Sequence, residues 1–250
     1  MVPTRLGRIR GLWLRACHLL SKPSVIRLLR TPLTRGWFAA QARTRPSTGQ
    51  HQLKASTRLD RYPELMSFVR DRIGHGNPAP RILSFGCSTG EECLTLHQYF
   101  PAARIVGVDI NTALLNHARR SCQHLLDRKV SLYHSSKLDD EPDGAFDVIF
   151  CMSVLLRHPD TKTLQDCGHI YPFTDYDDEV IRLDRVLRVG GFLVIQNSTF
   201  RFADSSVSGR YRVVPGDPGR DGLVTSIAIF GRDNLRIHGI TPQVVFQKHA

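Results

Sequence analysis

The chain has 250 residues, of which 41% are hydrophobic and 23% are charged, and its formal net charge is +11. These fractions are those of an ordinary globular protein, and the length allows one sizeable α/β domain with an appendage. No run of about 18 apolar residues occurs, which argues against a transmembrane helix.

The positive charge lies in the first 59 residues, which contain twelve Lys or Arg and no Asp or Glu. The remaining residues carry 22 basic and 23 acidic side chains and are close to neutral. We therefore predict a basic leader and linker over residues 1–59, poorly ordered, and a folded domain over residues 60–250. Within the leader, Ser24–Phe38 predicts a short amphipathic helix interrupted by Pro32. Organelle targeting, peripheral contact with anionic lipid, contact with nucleic-acid phosphates and an unordered tail all fit this pattern.

Cysteine usage bears on the compartment. The six cysteines are scattered without a CxxC pair, which predicts reduced thiols in an intracellular protein. We predict a cytoplasmic location, with organelle targeting through the leader as the alternative. No metal site is predicted, because Cys167-Gly168-His169 lacks a second pair of ligands.

From Asp60 onward, short β-rich runs alternate with helical patterns. The predicted strands are Arg81–Phe85, Arg104–Val108, Val130–Tyr133, Phe146–Cys151 and Phe192–Gln196. The predicted helices begin at Asp60 and after Gly90, and two more cover Thr112–Leu126 and Asp177–Leu187. This alternation predicts an α/β fold with a doubly wound, mostly parallel sheet. The runs Leu223–Phe230 and Gln243–Gln247 predict an antiparallel pair on its edge near the C-terminus.

The segment after the first strand carries the sharpest motif, Phe-Gly-Cys-Ser-Thr-Gly-Glu-Glu. A strand that runs into Gly86–Gly90 and then a helix brings bare backbone N–H groups close to a ligand. Asp109 ends the second strand, nineteen residues after Gly90. A carboxylate at that position can accept hydrogen bonds from both ribose hydroxyls of an adenosine-containing ligand.

With Val-Gly-Val-Asp, Phe-Asp-Val-Ile-Phe and Leu-Arg-Val-Gly-Gly-Phe-Leu-Val-Ile following in order, the chain resembles the class I (Rossmann-like) S-adenosylmethionine-dependent methyltransferase family over residues 62–200. The resemblance implies that Gly86–Gly90 surround the methionine portion of S-adenosylmethionine. It also implies that Asp109 binds the ribose and that Ile110 flanks the adenine. The positions implied to contact the cofactor are Ser84, Gly86, Cys87, Ser88, Thr89, Gly90, Asp109, Ile110, Ser135 or Ser136, Cys151 and Met152.

The chain departs from the family pattern at two positions of the motif. Ser84 replaces the usual acid two residues before the first glycine, and Ser88 replaces the usual middle glycine. The segment is similar to that of the chemotaxis-receptor glutamate methyltransferases, but Met152-Ser153 replaces their Arg-Asn pair. We therefore expect the cofactor geometry of those enzymes without their substrate. Glu91 and Glu92 are either first-turn helix charges or cofactor contacts.

The methyl acceptor is not specified by the sequence. The weak candidates for a general base are His158 and Tyr171, followed by His169, Asp175 and Asp177. The segment Tyr171–Tyr176 is either a wall of the acceptor pocket or an ordinary helix-capping loop. We expect a small-molecule or protein side-chain acceptor. The near-neutral domain and the lack of an Asn/Asp-Pro-Pro-Tyr/Phe signature argue against nucleic acid.

Two other functions remain open. An NAD-dependent oxidoreductase of the same fold class would favour Gly-x-Gly-x-x-Gly after the first strand, which this chain lacks. A non-catalytic nucleotide-binding module is favoured by the serines at positions 84 and 88.

Overall fold

The computed structural model describes residues 49–53, 55, 57–73, 77–218, 227–240 and 242–249. The amphipathic segment predicted at residues 24–38 lies outside the described residues. Within the described ranges, no helix combines the length and the apolar character that crossing a membrane requires.

A seven-stranded sheet organises the domain, in the order β3-β2-β1-β4-β5-β9-β6. Strands β1 to β5 are mutually parallel, whereas β9 runs antiparallel to both β5 and β6. The predicted doubly wound, mostly parallel fold with an antiparallel edge is confirmed. The strands are β1 Arg81–Phe85, β2 Arg104–Asp109, β3 Val130–His134, β4 Phe146–Met152, β5 Leu187–Gln196, β6 Tyr211–Val213, β7 Ile229–Phe230, β8 Arg236–Ile237 and β9 Val245–Lys248.

Four α-helices are described: α1 Pro63–Ile73, α2 Glu91–Tyr99, α3 Thr112–Ser121 and α4 Phe173–Val186. They lie on two apolar layers. One layer, with Ile82, Val148 and Phe150 from the sheet, includes residues of α1, α2 and α3; the other, with Leu83, Ile149 and Cys151, includes residues of α4. Every residue of β4 is buried, as expected for a central parallel strand covered on both faces.

Helix α3 shows how local chemistry sets an element boundary. The side chain of Asn111 accepts hydrogen bonds from the N–H groups of Ala113 and Leu114, which caps the helix N-terminus. The helix ends at Ser121, five residues before the predicted end. Turns follow because the N–H groups of Leu125 and Leu126 bond back to Cys122 O, and Val130 N bonds to Leu125 O.

The predicted boundaries between α4 and β5 were wrong. The helix begins at Phe173 rather than Asp177, directly after Pro172, and β5 begins at Leu187 rather than Phe192. The glycine pair lies inside the strand, where β4 and β5 shift register. A Cβ on Gly191 would lie 2.9 Å from Asp147 O, so this close approach of two backbones requires glycine.

The predicted pairing at the C-terminal edge was also wrong in its partners. Strand β9 pairs with β5 and β6, while β7 pairs with β8 in a separate two-stranded sheet. The two β-rich runs are therefore not each other's partners. Part of the first run, residues 223–226, lies outside the described residues.

Candidate active site

The loop between β1 and α2 is held in a conformation that side chains rarely allow. Gly86, Ser88 and Gly90 have φ angles of 76°, 52° and 94°. The N–H groups of Gly86 and Cys87 both donate to Val108 O, at 2.8 and 2.9 Å, which fixes the loop on the end of β2. A Cβ on Gly86 would lie 2.4 Å from Val154 Cγ2. Only glycine therefore allows the backbone to run this close to the segment after β4.

Asp109 lies beside this loop at the end of β2 and is 7% exposed. Its Oδ2 accepts from Ser88 N at 2.9 Å, and its Oδ1 accepts from Asn111 N at 2.8 Å. Burial raises the pKa of Asp109, although these backbone N–H groups act in the opposite direction. Because each carboxylate oxygen has more than one lone pair, both retain acceptor capacity for a ligand.

The carboxylate of Glu92 lies beside Ser84, the position at which the family motif usually has an acid. The Ser84 hydroxyl donates to Glu92 Oε1 at 2.7 Å, so the helix after the loop supplies an acid at the end of β1. Burial raises the pKa of Glu92 to about 7, and the opposing effects come from the Ser84 hydrogen bond and Arg61. Glu91, by contrast, accepts from the Thr89 hydroxyl and serves the first helical turn.

The loops after β2 and β3 are joined by His134. Its Nε2 lies 3.0 Å from Ile110 O, so Nε2 carries the proton, while Nδ1 lies 3.2 Å from Ser136 N. Ser135 begins a short 3₁₀ helix, and its carbonyl accepts from the Arg182 guanidinium. The structure thus brings Ile110, Ser135 and Ser136 to one edge of the sheet, together with Asp109.

The end of β4 contributes Cys151 and Met152, both buried. Burial raises the pKa of the Cys151 thiol, and the nearby carboxylates of Glu179 and Glu92 raise it further. Cys151 is therefore a neutral wall residue and not a nucleophile. Cys87 also turns inward: a Cβ on Gly107 would lie 3.1 Å from Cys87 Sγ and 2.7 Å from Cys93 Sγ.

Comparison with known proteins identifies the central part of the fold. Residues 82–171 match the family model described as a methyltransferase domain. The match covers less than half of the chain. The match begins inside β1 and ends before α4, so it contains the glycine loop, Asp109 and the end of β4.

Two curated relatives are similar to part of the chain. Trans-aconitate 2-methyltransferase from Escherichia coli O1:K1 / APEC is 35% identical over 80 residues, covering 32% of this chain and 29% of that protein. tRNA1(Val) (adenine(37)-N6)-methyltransferase from Vibrio campbellii is 35% identical over 75 residues, covering 30% of this chain and 31% of that protein. The chain spans less than a third of the length of these relatives. The crystal structure of the YcgJ protein from Bacillus subtilis aligns with a TM-score of 0.39 and 18% identity, covering 54% of this chain and 51% of that one.

Residues 49–53, which we name the strap, contact residues that follow β2 and β4. At one end, a Cβ on Gly49 would be 3.7 Å from Ile110 Cδ1. At the other, Gln50 O accepts from the Arg157 guanidinium at 2.9 Å. His51, 9% exposed, lies with Nδ1 2.7 Å from the Tyr171 hydroxyl. The sequence assigned this segment to the linker, and no local pattern identified His51.

The strap histidine completes a buried polar cluster. Its Nε2 lies 3.4 Å from Glu179 Oε2, and Glu179 in turn pairs with Arg182. Because a carboxylate only accepts, Nε2 donates to Glu179, which leaves Nδ1 to accept a hydrogen bond from the Tyr171 hydroxyl. Burial raises the pKa of Tyr171 well above its usual range.

The remaining base candidates from the sequence have other environments. The Nδ1 atom of His158 is buried without a hydrogen-bond partner among the described residues, whereas His169 and Asp175 are exposed. Asp177 accepts from the Ser205 hydroxyl and Ser206 N, which gives it a structural role. The segment Tyr171–Tyr176 is not a loop over its whole length, because Phe173–Tyr176 form the first turn of α4.

A cluster of three polar side chains, Tyr62, Ser153 and Asn197, joins the segments that follow β4 and β5. Asn197 donates to both the Tyr62 hydroxyl and Ser153 Oγ at 3.0 Å. Ser153 and Asn197 have φ angles of 61° and 56°, which are uncommon for residues with side chains. Strained conformations of this kind cluster at functional sites, and both residues follow strands whose carboxyl ends face ligands in such folds.

Proposed function

We propose that this protein transfers a methyl group from S-adenosylmethionine to an acceptor molecule. The observation that carries the proposal is the pairing of Asp109 with the Gly86–Gly90 loop. One carboxylate oxygen is oriented by Ser88 N and the other by Asn111 N, and both keep lone pairs for the ribose hydroxyls. The matched methyltransferase domain contains this pair of features.

The residues present fit such a cofactor. A Cβ on Gly86 would clash with Val154, so only glycine lets the backbone of the loop pack against the segment after β4. Ser88 Oγ is buried and has no partner among the described residues, which leaves it for a ligand. Glu92 supplies a carboxylate near the end of β1, where the ammonium of a methionine moiety would find its counter-charge.

When bound, S-adenosylmethionine supplies an activated methyl group on a positively charged sulfur. The protein's part is to hold the acceptor in line and exclude water. Asp109 would bind the ribose and Glu92 the ammonium, while the strap lies between Ile110 and Tyr171. For an acceptor that must lose a proton, the Tyr171 oxygen would take that proton while the Tyr171 hydroxyl proton moves to Nδ1 of His51, so Tyr171 would stay protonated, as its raised pKa favours.

The acceptor is proposed to be a small molecule or a protein side chain. The two curated relatives act on different classes, a small acid and an RNA base, by their names. The near-neutral charge of residues 60–250 and the lack of an Asn/Asp-Pro-Pro-Tyr/Phe signature after β4 argue against a nucleic-acid acceptor. The similarity to chemotaxis-receptor methyltransferases and the cytoplasmic location stay predictions.

Calorimetric titration of the full chain with S-adenosylmethionine, beside an NAD control, tests the proposal. We expect a dissociation constant in the micromolar range for S-adenosylmethionine, about −8 kcal/mol in free energy, and no comparable binding of NAD. A well-folded protein that binds NAD instead would indicate an oxidoreductase. Binding of neither would refute a cofactor-dependent enzyme and favour a degenerate module.

The pKa of Glu92 predicts how cofactor affinity depends on pH. With a pKa of about 7, Glu92 is mostly protonated at pH 5.5 and mostly ionised at pH 7.5. A cationic ligand favours the ionised form, so we expect S-adenosylmethionine to bind roughly tenfold more tightly at pH 7.5 than at pH 5.5. The range stops at pH 7.5 because α-amino groups lose their proton near pH 8. Titrations at four pH values measure the slope.

Two variants identify the titrating group. Glu92→Gln should bind weakly throughout and lose most of the slope, because no carboxylate ionises beside Ser84. Glu91→Gln alters the adjacent first-turn carboxylate and should keep the slope of the unmodified chain. An unchanged slope in Glu92→Gln would show that Glu92 does not contact the cofactor.

A further inference from the structure

Arg157 lies five residues past the end of β4, and hydrogen bonds hold both its backbone and its guanidinium. Its N–H donates to Thr199 Oγ1 at 2.9 Å, and its carbonyl accepts from Thr161 N at 3.0 Å. The guanidinium donates one hydrogen bond to Gln50 O of the strap. Its Cζ lies 5.7 Å from the centre of the Tyr171 ring. The side chain is therefore anchored between the strap and the aromatic wall of the site.

No carboxylate among the described residues pairs with this guanidinium, and its buried Nε has no hydrogen-bond partner. Other partly buried arginines near this edge are neutralised: Arg182 by Glu179 and Asp139, and Arg201 by Asp204. A partly buried cation without a counter-ion, and with a buried N–H that makes no hydrogen bond, is costly. Such a group persists where a ligand supplies the missing charge, so the arrangement indicates an anion-binding position.

The position lies at the carboxyl edge of the sheet, where ligands bind in doubly wound folds. Tyr171, which contacts the Arg157 guanidinium, also lies close enough to Cys151 at the end of β4 for its pKa to be affected. The strap contacts both Arg157 and Tyr171, so a ligand on this guanidinium would lie beside the strap. A planar guanidinium matches the two oxygens of a carboxylate, with its Nε and an outer N–H donating in parallel.

We propose that Arg157 binds a carboxylate of a small-molecule methyl acceptor. The inference rests on the proposed function and narrows its acceptor to organic acids. Among the described residues, no hydrogen bond or ion pair joins Arg157 to Asp109, to Glu92 or to the Gly86–Gly90 loop; its one link toward that part of the site is the strap. Loss of acceptor binding is therefore separable from loss of cofactor binding.

The experiment uses the full chain saturated with S-adenosylhomocysteine and titrated by calorimetry with three probes. These are trans-aconitate as a tricarboxylate, its trimethyl ester as an uncharged analogue, and inorganic phosphate. We expect trans-aconitate to bind at least about tenfold more tightly than the ester, the scale of one charge-assisted hydrogen bond. Arg157→Gln should remove that advantage, and Arg157→Lys should restore part of it. Unchanged melting temperature and S-adenosylhomocysteine affinity would show that the variants fold.

Arg188→Gln is the matched control, because it removes the same charge at the amino ends of β4 and β5, where Arg188 pairs with Asp147. It should bind the probes as the unmodified chain does. Failure of trans-aconitate to bind, or binding that Arg157→Gln leaves unchanged, overturns the inference while the proposed function stands. Binding of phosphate in preference to the acid overturns the carboxylate assignment. Failure of S-adenosylhomocysteine itself to bind would instead refute the proposed function.

Discussion

Replacing Asp109 with alanine should weaken S-adenosylmethionine binding by about 10- to 150-fold, as measured by calorimetry on the full chain. The expected loss is about 1.5–3 kcal/mol, because charge-assisted hydrogen bonds to a buried carboxylate contribute that much. The effect has two physical sources. The ribose hydroxyls lose their acceptor, and Ser88 N loses the carboxylate oxygen that holds it 2.9 Å away.

Asp109→Asn separates these two sources. The amide keeps one oxygen acceptor and the side-chain shape but loses the charge, so its affinity should fall between those of the unmodified chain and Asp109→Ala. Asp140→Ala, which removes an exposed acid paired only with Lys137, should bind normally. Equal affinity for all four proteins would show that the ribose is not bound by Asp109.

The positions of the Gly86–Gly90 loop and of Asp109 were predictable because parallel strands impose the geometry. Once β1 and β2 are neighbours in register, the residues that follow them must meet at one edge. Composition added the rest: small residues after β1 leave N–H groups accessible, and a carboxylate after β2 accepts them. The sequence predicted the positions of the loop and of Asp109 from residue types and their spacing. In the structure, Ser88 N of the loop lies 2.9 Å from Asp109 Oδ2.

The other half of the site was not predictable from local patterns. His51 meets Tyr171 across 120 positions of sequence, and the strap that carries it has no periodic pattern of its own. The start of α4 was missed for a different reason. Pro172 was interpreted as part of a loop, although proline just before a helix is compatible with its first turn. Ser84 was identified as a departure from the motif, but its partner Glu92 could be found only from the fold.

Charge is distributed unevenly around the end of β4. Glu92 and Glu179 both lie close enough to Cys151 to affect its pKa, so two carboxylates flank the centre of the site. The guanidinium of Arg157 lies on the Tyr171 side, where no described carboxylate neutralises it. Glu92 thus supplies a carboxylate that would suit an ammonium, and Arg157 supplies a cation that would suit an acid.

A buried ionic cluster joins α4 to the two antiparallel strands β6 and β9. Asp184 of α4, 3% exposed, pairs with Lys248 of β9 at 3.0 Å and with Arg210 at 2.6 Å. It also accepts from the Tyr211 hydroxyl of β6 at 2.8 Å. The ammonium of Lys248 additionally donates to the carbonyls of Asp184 and Leu187. One carboxylate therefore joins a helix to both antiparallel strands.

Asp184→Ala should lower the free energy of unfolding by about 3–5 kcal/mol, because it leaves the buried Lys248 charge and the Tyr211 hydroxyl without their partner. The melting temperature should fall by roughly 10 °C, measured by calorimetry or circular dichroism. Asp143→Ala removes an acid whose side chain is 83% exposed in its pair with Arg185, and it should cost no more than about 1 kcal/mol. The double variant Asp184→Leu/Lys248→Met removes both buried charges and should recover much of the loss. Equal destabilisation by the Asp184 and Asp143 variants would mean that the edge is held by apolar packing of β9 on β5 and not by this cluster.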